Sequence, residues 1–143
     1  MMEVYKTLQT SQDKYIYFLL ATTVASIGFA ITRTQNLKLS ITQIPLGISV
    51  LCWGLSFFFG CRNREYYNST LYANGELIEV QNGQHNEVGN NPLLIQAASK
   101  GIKEAMEFNS KKISSFGKLQ MRMFILGTLS YIVWHVLEMY LHK

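Results

Sequence analysis

The sequence is poor in charge, proline and cysteine. Of its 143 residues only 15% are charged, against about a quarter in soluble domains. It has two prolines and two cysteines, and two isolated cysteines form neither a disulfide framework nor a metal site. No Ser/His/Asp grouping, carboxylate cluster or glycine-rich strand-to-helix turn offers a catalytic centre. We therefore expect no catalytic residue, no metal and no cofactor, in a protein that is not an enzyme.

Three long apolar runs dominate what remains. Residues 15–32 and 43–60 contain no charge, and a third run, 123–140, contains one His and one Glu. A helix of about 18 residues covers about 27 Å, close to the hydrocarbon thickness of a bilayer. A chain this short has too little interior to bury three such apolar helices. The sequence predicts an all-α integral membrane protein with three transmembrane helices.

The apolar runs divide the chain into three parts. Residues 1–60 are an N-terminal segment followed by a hairpin of the first two spans. Residues 61–116 are predicted to form a helical cytoplasmic region between spans two and three, and residues 117–143 are the third transmembrane helix. Within the middle part, residues 81–91 have the Gly- and Asn-rich composition of a loop. The Asn91-Pro92 pair that follows is typical of a helix N-cap and first helical position.

Basic residues are distributed unevenly about the spans. Ten of the thirteen Lys and Arg residues precede the first span or lie between the second and third; the exceptions are Arg33, Lys38 and Lys143. Loops rich in Lys and Arg stay on the cytoplasmic side of a membrane. The asymmetry predicts that the N-terminus and the middle region are cytoplasmic and that the C-terminus is outside.

The third span carries a polar stripe whose members recur every three or four residues, on one helical face. Such a stripe avoids lipid and faces protein or water. It is either the wall of an ion pathway built from copies of this helix, a polar seam that holds the bundle together, or a set of side chains at headgroup level. The predicted pathway residues are Phe124, Thr128, Tyr131, His135 and Glu138.

A basic stripe lies on the predicted helix 92–122, opposite an apolar face. One interpretation is a solvated face whose charges are set by anionic lipid. The other is a binding face for an anionic ligand, with nearby tyrosines able to stack on bases. No phosphate loop or known nucleic-acid fold accompanies it. The predicted ligand-binding residues are Arg62, Arg64, Lys100, Lys103, Lys111 and Lys118.

Small residues recur along one face of each of the first two spans. Such faces let helix backbones approach closely and favour association in lipid. We interpret them as a signal for a homo-oligomer, with a tetramer as the expected size. The residues are Thr22, Ser26 and Ala30 in the first span and Ser49, Cys52, Ser56 and Gly60 in the second.

The layout of the chain resembles the small membrane effectors of bacterial anti-phage defence systems. The resemblance lies in the hairpin of spans 15–32 and 43–60, the basic cytoplasmic helix 92–122 that follows it, and the lack of a catalytic motif. These effectors include the two-span effectors of nucleotide-signalling operons and the Hailong effector; the third span is an addition to the two-span plan. The resemblance implies an oligomeric, pore-forming channel for inorganic ions in the bacterial inner membrane. A nucleotide or oligonucleotide would gate it, and its opening would depolarise an infected cell.

Two functions of other kinds fit the same residues. A non-conducting membrane adaptor would recruit a soluble partner through residues 62–115, and the polar stripe would then be a packing seam. A holin-like lysis protein would make large, non-selective lesions, so release of large solutes would separate it from an ion channel.

Overall fold

The computed structural model describes residues 2–142, most of which are helical, with no strand among them. Each long helix contains a stretch long and apolar enough to cross a membrane. The predicted all-α class is confirmed, and the three helices that are long and apolar enough to span a membrane indicate a membrane location. Lys143, counted in the charge asymmetry, lies outside the described residues. The helices are α1 (Met2–Thr34), α2 (Ile44–Gln81) and α3 (Pro92–Leu141), with a short 3-10 helix (Ile41–Gln43) before α2.

The start of α3 has the capping geometry expected from the sequence. The side-chain oxygen of Asn91 accepts a hydrogen bond from the backbone N–H of Leu93 at 3.0 Å. Pro92 occupies the first helical position, where its missing N–H is not needed. From there α3 continues for 50 residues to Leu141, a length of about 75 Å.

A Schellman motif ends α2. The N–H of Gly83 donates to the carbonyl of Val80 at 3.1 Å, and the N–H of Gln84 donates to the carbonyl of Glu79 at 2.9 Å. Gly83 has φ of +69°, and a Cβ at this position would collide with the side chain of Asn90. Both constraints favour glycine at this position. The predicted loop therefore begins directly after the last turn of α2.

The chain separates into two compact units, Met1–Gly60 with Gly117–Lys143, and Cys61–Phe116. The first, here called the membrane unit, holds all three apolar runs. The second, here called the hairpin unit, holds the end of α2, the loop and the first half of α3. The two are described separately below.

In the membrane unit, three serine hydroxyls join α2 to α3. Each donates to a backbone carbonyl of the other helix, and the partners descend along α3 as they ascend along α2, so the helices are antiparallel. Interhelical hydrogen bonds in membrane proteins contribute on average about 0.6 kcal/mol each. The bonds run from Ser49 to Gly127 at 2.7 Å, from Ser56 to Gln120 at 2.8 Å and from Ser130 to Pro45 at 2.7 Å.

Glycine permits the closest approaches in this unit. A Cβ added at Gly127 would lie 2.6 Å from Cδ1 of Trp53 and 3.1 Å from the carbonyl oxygen of Ser49. A Cβ added at Gly60 would lie 2.5 Å from the Gln120 amide nitrogen. The small-residue face of the second span is therefore occupied by α3 of the same chain.

The hairpin unit is a pair of helical segments, 61–81 and 92–116. The side-chain amide of Asn63, itself buried, donates to the carbonyl of Ile113 at 2.7 Å. Leu77 and Val80 are buried near the loop end. α2 stays helical through Asn74-Gly75, two residues of weak helix propensity, and ends at Gln81.

Candidate functional site

The predicted pathway residues fall into two environments in the membrane unit. Phe124 packs, partly buried, against a core cluster that includes Trp53 and Trp134. The hydroxyl of Thr128 donates to the carbonyl of Phe124 at 3.0 Å, within α3 itself. Neither residue is among those that line the cavity described next. The other three predicted pathway residues line a cavity.

The cavity has a volume of about 430 Å³ and lies between the last turns of α1 and of α3. Spacings of three and four residues along α3 bring Tyr131, Trp134 and Glu138 to one face, with His135 beside them. The volume is within the range of small-molecule sites, about 300–1,000 Å³. Its walls are Phe29, Arg33, Leu37, Tyr131, Trp134, His135 and Glu138.

The Glu138 carboxylate is held at the rim of this cavity. One oxygen accepts a hydrogen bond from the Thr42 hydroxyl at 3.3 Å, and the other lies 3.0 Å from Nε2 of His142. The Glu138 side chain is only 18% exposed, against 75% for His142. A carboxylate is thus fixed by two neighbours and kept largely out of solvent.

Arg33 supplies the opposite charge from the other wall. It lies in the last turn of α1, where the helix dipole favours a cation. Its guanidinium carbon is 5.2 Å from the centre of the Phe29 ring. Among residues 2–142, no ion pair joins Arg33 to Glu138. The cavity therefore contains two opposite charges that do not neutralise each other.

Aromatic rings close the inner end of the cavity. The ring of Tyr131 lies 5.7 Å from that of Trp53, 5.4 Å from that of Trp134 and 6.4 Å from that of Phe29, between centroids. Both tryptophans are buried, and within the described part of the chain neither indole N–H has a hydrogen-bond partner. A small polar solute in the cavity would therefore meet an apolar cluster of aromatic rings at Tyr131.

The structure does not gather the six predicted ligand-binding residues into one site. Arg62 forms an ion pair with Glu65, and Lys111 lies 3.2 Å from a Glu107 oxygen. The Arg64 guanidinium stacks over Tyr67, 4.4 Å from its centroid. Half of the set is thus already engaged within the hairpin unit.

Lys100, Lys103 and Lys118 are exposed and have no ion pair among the described residues. Lys100 and Lys103 lie three residues apart on α3 in the hairpin unit, and Lys118 lies on α3 in the membrane unit. Lys100 and Lys103 therefore place two free cations close together in the hairpin unit.

The tyrosines expected to stack on bases have partners of their own. Tyr66 stacks on Phe116, with ring centroids 5.7 Å apart and planes at 13°. Tyr72 is exposed, and its hydrogen bond to Glu76 raises the pKa of the phenol above its ordinary value. An added base would have to displace Phe116 or use the outer face of Tyr66.

Sequence reasoning missed Thr42 as the hydrogen-bond donor to Glu138. It also missed four cavity residues: Phe29, Arg33, Leu37 and Trp134. The stripe was followed along one helix, and nothing in α3 alone indicates which residues of α1 face it. The position of Arg33, directly after the first apolar run, was the one available signal.

No group of three or more His, Cys, Asp or Glu residues that could hold a metal ion is present in the described residues. Comparisons of the chain with protein-family models, curated proteins and solved structures gave no match.

Proposed function

We propose that the chain is a homo-oligomeric ion channel of the bacterial inner membrane, gated by an anionic cytoplasmic signal, which depolarises the cell in defence against phage. The observation that carries the proposal is the cavity lined by Tyr131, His135 and Glu138 in the membrane unit. Ionisable side chains in membrane spans usually mark ion pathways. His135 and Glu138 would form the mouth, and the aromatic cluster around Tyr131 would be the closed gate.

Unfilled space beside three helical glycines supports self-association. A Cβ added at Gly28, Gly47 or Gly54 would meet no atom of the described chain within 4 Å. A mid-helix glycine costs about 1 kcal/mol relative to alanine in soluble helices, and in lipid it permits close approach of another helix. The exposed face of α3, by contrast, carries bulky side chains suited to lipid. They are Ile125, Leu126, Leu129, Ile132, Val133 and Val136.

The expected tetramer would have to form through these glycines and not through the small-residue face of the second span. In that face, Ser49, Ser56 and Gly60 already contact other residues of the same chain. The faces of α1 and α2 that contain Gly28 and Gly54 are the ones available to further copies.

The proposed cytoplasmic role of the hairpin unit relies on charge. Ten of the thirteen basic residues precede the first span or lie between spans two and three, which supports a cytoplasmic N-terminus and an external C-terminus. Lys100 and Lys103, which have no ion pair among the described residues, would meet the phosphates of a nucleotide or oligonucleotide signal.

A non-conducting adaptor is the second candidate, and one observation favours it. Phe124 and Thr128 pack inside the chain, and the serine hydroxyls bind α2 to α3 across the bundle. If the stripe is only a packing seam, the hairpin unit would recruit a soluble partner.

Ion flux from liposomes that contain the purified protein tests the proposal. We expect flux of small inorganic ions, reduced in Glu138→Gln and unchanged in Glu87→Gln, a control at an exposed loop carboxylate. Trapped dye of high molecular weight should stay inside; its release would indicate holin-like lesions. If Glu138→Gln leaves the flux unchanged, Glu138 is not part of the ion pathway. If no flux is seen with or without nucleotide extracts, the result favours the non-conducting adaptor over the channel.

A further inference from the structure

Two opposite charges that do not pair with each other in one cavity are a recognition pattern for a dipolar ligand. Arg33 on α1 and Glu138 on α3 both line the cavity, yet no ion pair joins them. A ligand with an anionic and a cationic group could satisfy both walls at once. The Glu138 carboxylate would repel a purely anionic ligand, and the Arg33 guanidinium would repel a purely cationic one.

The uncharged walls fit the cationic half of such a ligand. Phe29, Tyr131 and Trp134 present aromatic rings, and ammonium groups are attracted to aromatic faces. The Trp134 side chain is 5% exposed, and its indole N–H has no partner in the described structure. A carboxylate with aromatic neighbours is a suitable environment for a primary or quaternary ammonium.

The anionic half is best supplied by a phosphate. The planar guanidinium of Arg33 matches phosphate geometry through paired hydrogen bonds. Arg33 directly follows the first apolar run, and tryptophan, tyrosine and arginine concentrate at the level of lipid headgroups. At that depth the commonest dipolar phosphate is a phospholipid headgroup.

We propose that this cavity binds the headgroup of a zwitterionic phospholipid, with its phosphate on Arg33 and its ammonium between Glu138 and the aromatic walls. The acyl chains would leave past Phe29, which is 52% exposed, onto the apolar outer surface of the helices. This site goes beyond the proposed channel function. It uses the same cavity, so a bound headgroup would close the proposed mouth at Glu138.

Native mass spectrometry of the full-length protein, titrated with two lipids of identical acyl chains, tests the site. Phosphatidylethanolamine carries both charges, and phosphatidylglycerol lacks the ammonium. Loss of one charged contact of about 1.4 kcal/mol lowers affinity about tenfold. We therefore expect Arg33→Gln to weaken both lipids about tenfold. Glu138→Gln should weaken phosphatidylethanolamine to a similar extent and leave phosphatidylglycerol unchanged or tighter.

Matched controls separate the site from general charge effects. Lys38→Gln removes a cation five residues from Arg33, and Glu87→Gln removes an exposed loop carboxylate; both should bind as the unmodified chain does. Arg33→Lys keeps the charge and should recover part of the phosphatidylethanolamine affinity, which also shows that the variants fold.

Three results would overturn the inference. The first is equal affinity for the two lipids with no effect of Glu138→Gln. The second is a loss of lipid affinity in Lys38→Gln as large as the loss in Arg33→Gln. The third is soluble glycerophosphoethanolamine binding as tightly as the lipid, which would replace the membrane source by a free solute. Because binding is read without ion flux, these results are independent of whether the channel proposal holds.

Discussion

Replacing Gly127 with alanine should destabilise the membrane unit by about 2 kcal/mol. The new Cβ would lie 2.6 Å from Cδ1 and 2.7 Å from Nε1 of Trp53, and 3.1 Å from the Ser49 carbonyl oxygen. The indole is buried and the second neighbour is backbone, so neither can move without cost. Overpacking of this kind costs about 1–3 kcal/mol. Strain on the hydrogen bond from Ser49 adds about 0.6 kcal/mol, and the better helix propensity of alanine recovers up to about 1 kcal/mol.

The assay is unfolding in mixed micelles with increasing sodium dodecyl sulfate, followed by far-ultraviolet circular dichroism. Gly101→Ala is the matched control, because a Cβ there meets no described atom within 4 Å, and it should be neutral or slightly stabilising. Adding Trp53→Phe to Gly127→Ala should remove part of the clash, with a coupling of about 1 kcal/mol in a double-mutant cycle. A Gly127→Ala protein as stable as the parent, or a cycle without coupling, would refute the packing described for α2 against α3.

Three other changes test separate parts of the molecule. Ser56→Ala should cost about 0.6 kcal/mol in the same unfolding assay, because the Gln120 carbonyl loses its donor; no change would show that the bond is not formed in lipid. Gly54→Leu should reduce the oligomer size measured by chemical cross-linking while helix content is kept, since Gly54 has no neighbour inside the chain; an unchanged oligomer would exclude this face. Lys100→Glu combined with Lys103→Glu should abolish the response of ion flux to nucleotide without lowering unstimulated flux, and an intact response would rule out these two lysines as the sensor.

The helices and their ends were predictable because the responsible signals are local. Uncharged runs of about 18 residues have few alternatives to crossing a bilayer, and the Asn91-Pro92 pair caps α3 through contacts within a few residues. The persistence of α2 through Asn74-Gly75 was harder to foresee. There, tertiary packing of Leu77 and Val80 outweighs a weak local propensity.

The pairing of helix faces was not predictable, because the residues on a face do not specify which helix packs against it. Ser49 and Ser56 have the spacing of an association face, and the sequence does not distinguish association with α3 from association with another copy. Arg33 was missed as a cavity residue for the same reason: it shares a site with Glu138 only through the packing of α1 on α3. The placement of Tyr131, His135 and Glu138 as pathway residues stays a prediction.

The positions of Trp53 and Trp134 have a practical consequence for spectroscopy. They are the two tryptophans of the chain, both are buried in the membrane unit, and both rings lie within 6 Å of Tyr131. Intrinsic fluorescence excited at the indole band therefore reports on this core and is silent about the hairpin unit. Its emission should lie to the blue of an indole in water, and a shift to the red on addition of a ligand would signal entry of water around Tyr131 without any attached dye.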